Sequence, residues 1–316
     1  MKVPISFRPL VPVFLVAVSS AFAEAPFEYV WGTAHHVLPE THSDESGYFS
    51  LCEGNDGRIY VGTAKYGENA YLVEFDPVTG KQRIVVDAHK VCDLNAKGYA
   101  AQAKFHTRNY VGPSGVIYAG TKQGYAKKGD KSEYPGGYLI TYDPRNDTAR
   151  NLGMPYKKQG IADVVADESR GLVYVVTCED QHWMLYDVAT KKFTELGPML
   201  TPYATTLMDA EGKAHALTKD FQLATYDPTT KKVTQRPIEI GGKPFVRESR
   251  SAIPTWNLDP DGRTAWLILM NDASLLSIDL SSKGKKAKGA NHGLMLEGER
   301  PGSRSALTIA PDGQIY

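Results

Sequence analysis

The stretch GNDGRIYVGTAKYGENAYLVEFDPVTGK, residues 54–81, carries the pattern that decides the fold. A tight turn ends in a glycine, strand formers follow it, and a later strand closes on an aromatic-Asp-Pro anchor. The pattern recurs along the chain, and its copies begin with GRIY at Gly57, GVIY at Gly115, GLVY at Gly171, GKAH at Gly212, GRTA at Gly262 and GQIY at Gly313. The anchors are FDP at Phe75, YDP at Tyr142, YDV at Tyr186, YDP at Tyr226 and IDL at Ile278.

The spacing of these copies, roughly 40 to 58 residues, is that of propeller blades. We therefore predict an all-β chain: a β-propeller of four-stranded antiparallel blades, with about six or seven blades when complete. The predicted blades are residues 44–87, 103–153, 159–197, 203–238 and 250–293, with a partial blade at 303–316. Because the last copy stops at Tyr316 in its second strand, we expect a truncated last blade, with residues 27–42 supplying a closing strand.

The first residues have the character of an export signal. Lys2 and Arg8 precede an apolar run from Leu10 to Ala23, which ends in the small-x-small spacing Ala21-Phe22-Ala23. We predict that residues 1–23 are a signal peptide and that residues 24–316 form the propeller domain. The predicted location is the periplasm or the medium, with no membrane anchor.

Charge and cysteine content exclude some functions. The full chain has 36 basic and 36 acidic residues, and removal of Lys2 and Arg8 leaves 34 against 36, or −2. This balance gives no electrostatic attraction to nucleic acid. The three cysteines, Cys52, Cys92 and Cys178, allow at most one internal disulfide, and buried free thiols are the alternative.

The residues with the clearest chemical content lie in AAQAKFHTR, residues 100–108, on the innermost strand of the second predicted blade. Alternation places Gln102, Lys104, His106 and Arg108 on one side of that strand. A buried cationic strand is costly unless an anion pairs with it. The anion is either a ligand or a set of acids from neighbouring blades, for which the candidates are Asp163, Glu179 and Asp180.

Antiparallel order brings other segments to the same end of this strand. The loop Thr121–Gly137 follows the second strand of the blade and contributes Lys122, Gln123 and Tyr125. In the next blade, CEDQHW, residues 178–183, offers His182 together with Glu179 and Asp180, either as metal ligands or as a polar hairpin turn. Three further residues share the repeat column of His106, namely Tyr48, Tyr203 and Arg304.

An exported propeller with the QAKFHTR strand resembles the bacterial propellers that include ulvan lyases and, more distantly, oligogalacturonate lyases. The resemblance implies β-elimination on a uronate-containing polysaccharide or oligosaccharide. The candidate catalytic residues are His106 as the base, Arg108 or Lys104 for the substrate carboxylate, and Tyr48, Tyr125 or Tyr203 as proton donor. The expected substrate-binding residues are Gln102, Lys104, Lys122, Gln123, Tyr125, His182 and Arg304.

The sequence leaves several alternatives open. A non-catalytic platform that binds a glycan or protein partner fits the same cationic residues. A metal-dependent lactonase ranks last, because its funnel needs carboxylates where this column has His, Tyr and Arg. The metal-binding histidine cluster of the oligogalacturonate lyases has no match here, so no cofactor and no metal ligand is assigned, although a structural or substrate-bridging metal stays open.

Overall fold

The computed structural model describes residues 32–45, 50–203, 205–246, 255–269, 273–295, 307–310 and 312–316. The chain divides into two compact units, Met1–His36 and Val37–Tyr316. In the first unit the described residues, 32–36, contain no helix or strand. The predicted signal peptide, Tyr48 and Arg304 lie outside the described residues. Within the described ranges, no helix combines the length and apolar character that crossing a bilayer requires.

The second unit contains successive antiparallel sheets, as a propeller requires. The first sheet has strands β1 (Leu51–Glu53), β2 (Ile59–Gly62), β3 (Tyr71–Phe75) and β4 (Gln82–Asp87). The second has β5 (Lys104–Phe105), β6 (Tyr110–Val111), β7 (Ile117–Lys122), β8 (Leu139–Asp143) and β9 (Thr148–Gly153). The third has β10 (Ile161–Asp167), β11 (Leu172–Thr177), β12 (Trp183–Asp187) and β13 (Lys192–Glu195).

Two further sheets follow, and they join at their outer strands. The fourth has β14 (Leu207–Met208), β15 (Ala214–Leu217), β16 (Gln222–Asp227), β17 (Lys232–Ile240) and the short β18 (Lys243–Pro244). The fifth has β19 (Thr255–Leu258), β20 (Thr264–Ile268), β21 (Ser274–Asp279) and β22 (Ala287–Leu294). Strands β17 and β22 pair in parallel, which gives both outer edges a partner. In the described part of the sixth copy, an antiparallel bridge joins Ile309 and Ile315.

The predicted fold class, a β-propeller with four-stranded antiparallel blades, is confirmed by these sheets. Among the described residues, helical structure is limited to one short α-helix, α1 (Ala88–Val91), and to 3₁₀ turns at Pro39–Thr41 and Gly98–Ala100. The described residues of the expected closing segment, 32–42, form the first of these 3₁₀ turns and no strand.

The repeated glycine has the backbone conformation that explains the repeat. All six glycines have positive φ, between 65° and 86°, where a side chain would be strained. The aromatic residue three positions later anchors its own turn in the first copy, where the Tyr60 hydroxyl donates to Asp56 at 2.8 Å. In the fourth copy His215 replaces the tyrosine, and its Nε2 lies 2.8 Å from Asp209. The motif therefore ties the strand back to the turn that precedes it.

The hydrophobic core lies between consecutive blades. Each of four buried clusters combines side chains from two neighbouring sheets. Between the first and second sheets, for example, Tyr60 and Leu72 pack with Ile117 and Tyr142. Burial of these apolar faces is the main force that holds one blade against the next.

The turns of neighbouring blades also contact one another. Glu168, in the turn of the third blade, accepts hydrogen bonds from the Ser114 amide (2.8 Å), the Ser114 hydroxyl (2.7 Å) and the Tyr118 hydroxyl (3.0 Å) of the second. The turns of the fourth and fifth blades meet where the Ala210 amide donates to the Gly262 carbonyl at 2.8 Å. Polar contacts therefore reinforce the apolar packing between blades.

We predict that Glu168→Ala lowers the free energy of unfolding by about 1 to 3 kcal/mol, because three donors lose the carboxylate that accepts their hydrogen bonds. Glu133→Ala is the matched control, since Glu133 is exposed and makes one surface ion pair with Lys158 at 3.6 Å. It should change stability by less than about 0.5 kcal/mol. Thermal unfolding of both variants measures the effect, and equal melting temperatures would contradict the role of Glu168.

Candidate functional site

The innermost strand of the second blade is interrupted. Strand β5 pairs with Lys122 and Thr121 of β7, and β6 pairs with Tyr118 and Ile117 of the same strand. Residues 106–109 therefore lie opposite only Ala119 and Gly120, which makes a bulge. The Gly120 amide donates to the Thr107 hydroxyl at 3.0 Å instead of to a backbone carbonyl. The prediction of a continuous polar row is wrong for this reason. The side chains of Gln102, Lys104, His106 and Arg108 have different surroundings.

Gln102 is part of the structural framework. It is fully buried, its Oε1 accepts from the hydroxyls of Thr121 (2.7 Å) and Tyr134 (3.2 Å), and its Nε2 donates to the Gly136 carbonyl (3.0 Å). These bonds tie both ends of the long loop to the inner strand. Gln102 therefore supports the loop, and its substrate-binding role stays a prediction.

Lys104 lies at the centre of a group that we call the lysine cluster: Lys104, His106, Lys122, Tyr125 and Glu179. Its side chain is only 3% exposed, and its Nζ lies 5.1 Å from the ring centroid of Tyr66 and 5.8 Å from that of Tyr125. Burial, followed by the charge of Lys122, lowers the pKa of Lys104 to about 8. The Lys104 amine therefore loses its proton at moderately alkaline pH, where an ordinary lysine is still charged.

Lys122 contacts a carboxylate from the next blade. Its Nζ forms an ion pair with Glu179, whose other oxygen accepts from the Gly160 amide at 3.1 Å. Gln123 adds a weaker bond, since its Nε2 lies 3.3 Å from Glu179 and 3.4 Å from the Tyr99 hydroxyl. Glu179 is thus one of the acids expected to pair with the cationic strand, although its partner is on β7.

His106 is half-buried beside these lysines. Its Nδ1 lies 3.0 Å from the Ile161 carbonyl oxygen and 3.5 Å from the Cys178 sulfur. Because a carbonyl only accepts, Nδ1 carries the proton and Nε2 carries the lone pair. Burial, followed by the charges of Lys104 and Lys122, lowers the pKa of His106 to about 3. The imidazole is therefore neutral over the physiological range.

Tyr125 projects from the long loop over Lys104. It is 69% exposed, and its ring meets that of Tyr66 edge-on, with 5.1 Å between centroids. A Cβ at Gly124 would lie 2.7 Å from the Cβ of Tyr66, so only glycine lets the loop approach this closely. The two rings form an aromatic cover at the solvent side of the cluster.

Arg108 lies elsewhere, in a central cavity of about 340 Å³ that is lined by the inner strands of four successive blades. Its guanidinium donates to the Thr255 hydroxyl at 3.3 Å, and Asp163 of the third blade lines the same cavity. Asp163 accepts from the Thr206 amide at 2.9 Å, and burial raises its pKa to about 6. Asp163, one of the three acids expected to pair with the cationic strand, therefore lies near Arg108.

Two further predicted residues that the structure describes, His182 and Tyr203, lie in other surroundings. His182 stacks on Tyr156, with ring centroids 3.9 Å apart, and its Nδ1 lies 2.7 Å from Glu195. Tyr203 is 45% exposed in a turn and is not among the residues that line the central cavity. The structure therefore places both residues away from the Lys104 and Arg108 surroundings.

The three possible metal ligands in CEDQHW, residues 178–183, each contact a different protein group. Glu179 faces Lys122, Asp180 accepts from Gln159 Nε2 at 2.8 Å, and His182 faces Glu195. In the described part of the chain, no three His, Cys, Asp or Glu side chains form a group that would hold a metal ion. All three cysteines are free thiols, and burial raises the pKa of Cys178 to about 11.

Two neighbours of the cluster were not predicted. Tyr66 comes from the loop after β2 of the first blade, and Cys178 from the loop after β11 of the third. Antiparallel order puts every such loop at the end of the propeller where inner strands begin. That rule, applied to the first blade as well as the second, was the signal that could have found Tyr66.

The comparisons with known proteins support the fold and say nothing about the chemistry of this chain. No protein-family model and no curated protein sequence matches the chain. A protein from Lactobacillus plantarum is similar in structure at 14% identity, with a TM-score of 0.51, over 81% of this chain and 73% of that one. The periplasmic gluconolactonase of Pseudomonas aeruginosa is similar at 14% identity, with a TM-score of 0.52 and the same coverage.

A third similar structure is the extracellular domain of a putative hybrid two-component system from Bacteroides thetaiotaomicron. It matches at 14% identity with a TM-score of 0.52, over 88% of this chain and 32% of that one. At these identities the likeness establishes the fold alone.

We predict that Lys104→Met stabilises the fold at pH 7 by about 2 to 3 kcal/mol, because it removes a buried charge and keeps the aliphatic stem. The pKa of Lys104 in the folded protein, about 8, lies below the ordinary value of 10.5. Below pH 8 the charged ammonium therefore lowers the free energy of unfolding by a constant amount. That cost declines as pH rises from about 8 to 10.5, and the advantage of the variant should decline with it.

Thermal unfolding of wild type and Lys104→Met at pH 7 and pH 10 measures this change. Lys127→Met, on the exposed part of the same loop, is the control and should stay within about 0.5 kcal/mol of wild type at both values. An advantage of Lys104→Met that is equal at the two pH values would contradict the argument.

Proposed function

We propose that this chain is an exported β-propeller that binds a carboxylate-bearing carbohydrate at the lysine cluster and cleaves it by β-elimination. The observation that carries the proposal is the burial of Lys104, at 3% exposure, beside Lys122 and a neutral His106. Burial of an ammonium beside a second one is costly, and such perturbed groups concentrate at functional sites. Glu179 already pairs with Lys122, and a bound carboxylate would place a second anion beside Lys104.

The residue types suit the elimination. In that reaction the C5–H and C4–O bonds of a uronate break, a C4=C5 double bond forms, the base takes the C5 proton and the leaving oxygen gains one. Lys122, as a cation, stabilises the charge that develops on the carboxylate. Lys104, with a pKa of about 8, exchanges protons near the working pH, and His106 Nε2 is the second candidate base.

The aromatic cover adds a role for the long loop. Tyr125 is exposed above Lys104, where a sugar ring reaching the lysines would contact it. Its hydroxyl is a candidate for donating a proton to the leaving oxygen. The predicted role of Arg108 in binding the substrate carboxylate passes to Lys122 in this proposal, because Arg108 lines the central cavity.

A second candidate function, glycan binding without turnover, is favoured by one observation. The low pKa of His106, about 3, makes its imidazole a weak base before any ligand arrives. A platform needs only the cations and the aromatic cover. The proposed export rests on the signal peptide predicted at residues 1–23.

Incubation with a panel of uronate polysaccharides, followed by the ultraviolet absorbance of the unsaturated product, tests the proposal. We expect product with wild type, and at least about 100-fold less with Lys104→Met or His106→Ala. Lys127→Met should match wild type within about twofold, since Lys127 is exposed and outside the cluster. The rate should rise with pH through about 8, as Lys104 becomes neutral.

Binding without absorbance, weakened at least about tenfold by Lys122→Gln, would favour the platform. Neither binding nor product across the panel would overturn both functions.

A further inference from the structure

We propose that a groove between the fourth and fifth blades binds a phosphomonoester of the size of a sugar phosphate. We call it the junction groove, and its volume is about 330 Å³. The residues that matter are Lys232, Thr234 and Arg236 of β17 and Lys283 of the loop after β21. This inference is independent of the function proposed for the lysine cluster.

Between the first and second blades, side chains fill the corresponding space. Tyr60, Glu74 and Arg83 lie in one row across the strands of the first blade. Arg83 donates to Glu74 at 2.9 Å, and it reaches the second blade at the Tyr142 hydroxyl (3.0 Å) and at Asp147 (2.8 Å). Hydrogen bonds and an ion pair therefore close that junction.

The fourth and fifth blades have different residues at these positions. The equivalent row of the fourth blade is His215, Thr225 and Thr234, so two threonines replace the glutamate and the arginine. In the fifth blade, Ile278 replaces the tyrosine of the anchor, and Lys283 takes the position of the aspartate that pairs with that arginine. The space that the arginine fills at the first junction is therefore open here, with a cation at its rim.

The acids that line the junction groove are occupied within the protein. Asp209 lies 2.8 Å from His215 Nε2 and accepts from the Lys213 amide at 2.8 Å. Glu211 forms an ion pair with Lys213, and Asp227 accepts from two backbone amides of its own turn. Glu211, more than Asp209 and Asp227, raises the pKa of Lys213. The three carboxylates therefore surround Lys213 and leave the other end of the groove cationic.

Lys232, Arg236 and Lys283 form this cationic end. Within the described ranges, none of the three forms an ion pair with a carboxylate. Arg236 is oriented because it donates to the Ser282 carbonyl, and a guanidinium has further N–H donors for an oxyanion. Thr234 lies between Lys232 and Arg236 on the same face of β17, where it adds a hydroxyl.

The number of cations defines the chemical class of the ligand. A phosphomonoester carries a charge of about −1.5 to −2 at pH 7 and has three acceptor oxygens, which suit three cations and a hydroxyl. A carboxylate has one charge and two oxygens. The volume, about 330 Å³, is at the lower end of the range for ligand pockets, about 300 to 1,000 Å³, so it suits one phosphorylated sugar ring.

The alternative is a water-filled groove among surface lysines that attract anions without a defined site. Under that alternative, neighbouring lysines contribute equally to anion binding. Lys283 and Lys285 distinguish the two cases, because both are exposed in the same loop and only Lys283 lines the groove.

Titration calorimetry of the whole chain with D-glucose 6-phosphate at about pH 7 tests the site. Lys283→Gln and Lys232→Gln should each weaken binding about tenfold, because each removes a charge-assisted hydrogen bond. Thr234→Val keeps the shape and loses the hydroxyl, and it should weaken binding about 3- to 10-fold. Lys285→Gln, the matched control, should stay within about twofold of wild type. All four side chains are exposed, so melting temperatures should stay close to that of wild type.

Two further measurements identify the group recognised and the place of binding. D-glucose, which lacks the phosphate, should bind at least about tenfold more weakly than its 6-phosphate. Lys122→Gln should leave binding of the 6-phosphate unchanged, because Lys122 belongs to the lysine cluster. The proposal is overturned if wild type gives no heat at about 10 mM glucose 6-phosphate, or if Lys283→Gln and Lys232→Gln bind like wild type. It is equally overturned if Lys285→Gln weakens binding as much as Lys283→Gln, or if Lys122→Gln abolishes it.

Discussion

The pairing of β7 with two separate inner strands is the constraint on which the site depends. Four residues, 106–109, occupy a length of strand that two residues of β7 match. Thr107 fills the gap with its hydroxyl, and Gly120 makes room, because a Cβ there would lie 2.4 Å from Ile161 and 2.8 Å from Thr107. A regular strand would keep Lys104, His106 and Arg108 in one row. The bulge instead separates the lysine cluster from the central cavity.

The framework around this bulge is regular, which is why one irregular strand is tolerated. Apolar clusters fill the space between neighbouring blades from the first to the fifth, and turn-to-turn contacts such as Glu168 with Ser114 reinforce this packing. Gln102 then ties the long loop to the inner strand with bonds to Thr121, Tyr134 and Gly136. Loops that carry Tyr125 and Glu179 are therefore held by the blades beneath them, as binding loops on rigid scaffolds usually are.

The fold was predictable because its signals are local and repeated. Positive-φ glycines, Asp-containing turns and alternating strands each occur in several copies, so an error in one copy is corrected by the others. The site was only half predictable. Lys104, His106, Lys122 and Tyr125 were predicted from residue type and strand order, and the structure brings them together. The division between Lys104 and Arg108 was not, because a bulge depends on tertiary fit at Gly120 and Ile161 and leaves no periodic signal.

The electrostatics of the cluster link anion binding to proton binding. Lys104 and Lys122 each contribute to the low pKa of His106, and Lys122 contributes to the low pKa of Lys104. A bound carboxylate opposes those same charges, so it raises both pKa values relative to the empty cluster. By linkage, a ligand that raises a pKa binds more tightly when the group is protonated. The cluster therefore binds an anion best below the pKa of Lys104, whereas proton abstraction by Lys104 needs the neutral amine. An enzyme that uses neutral Lys104 as its base therefore gains rate as pH rises through that pKa, whereas a binding platform loses affinity for the anion over the same pH range.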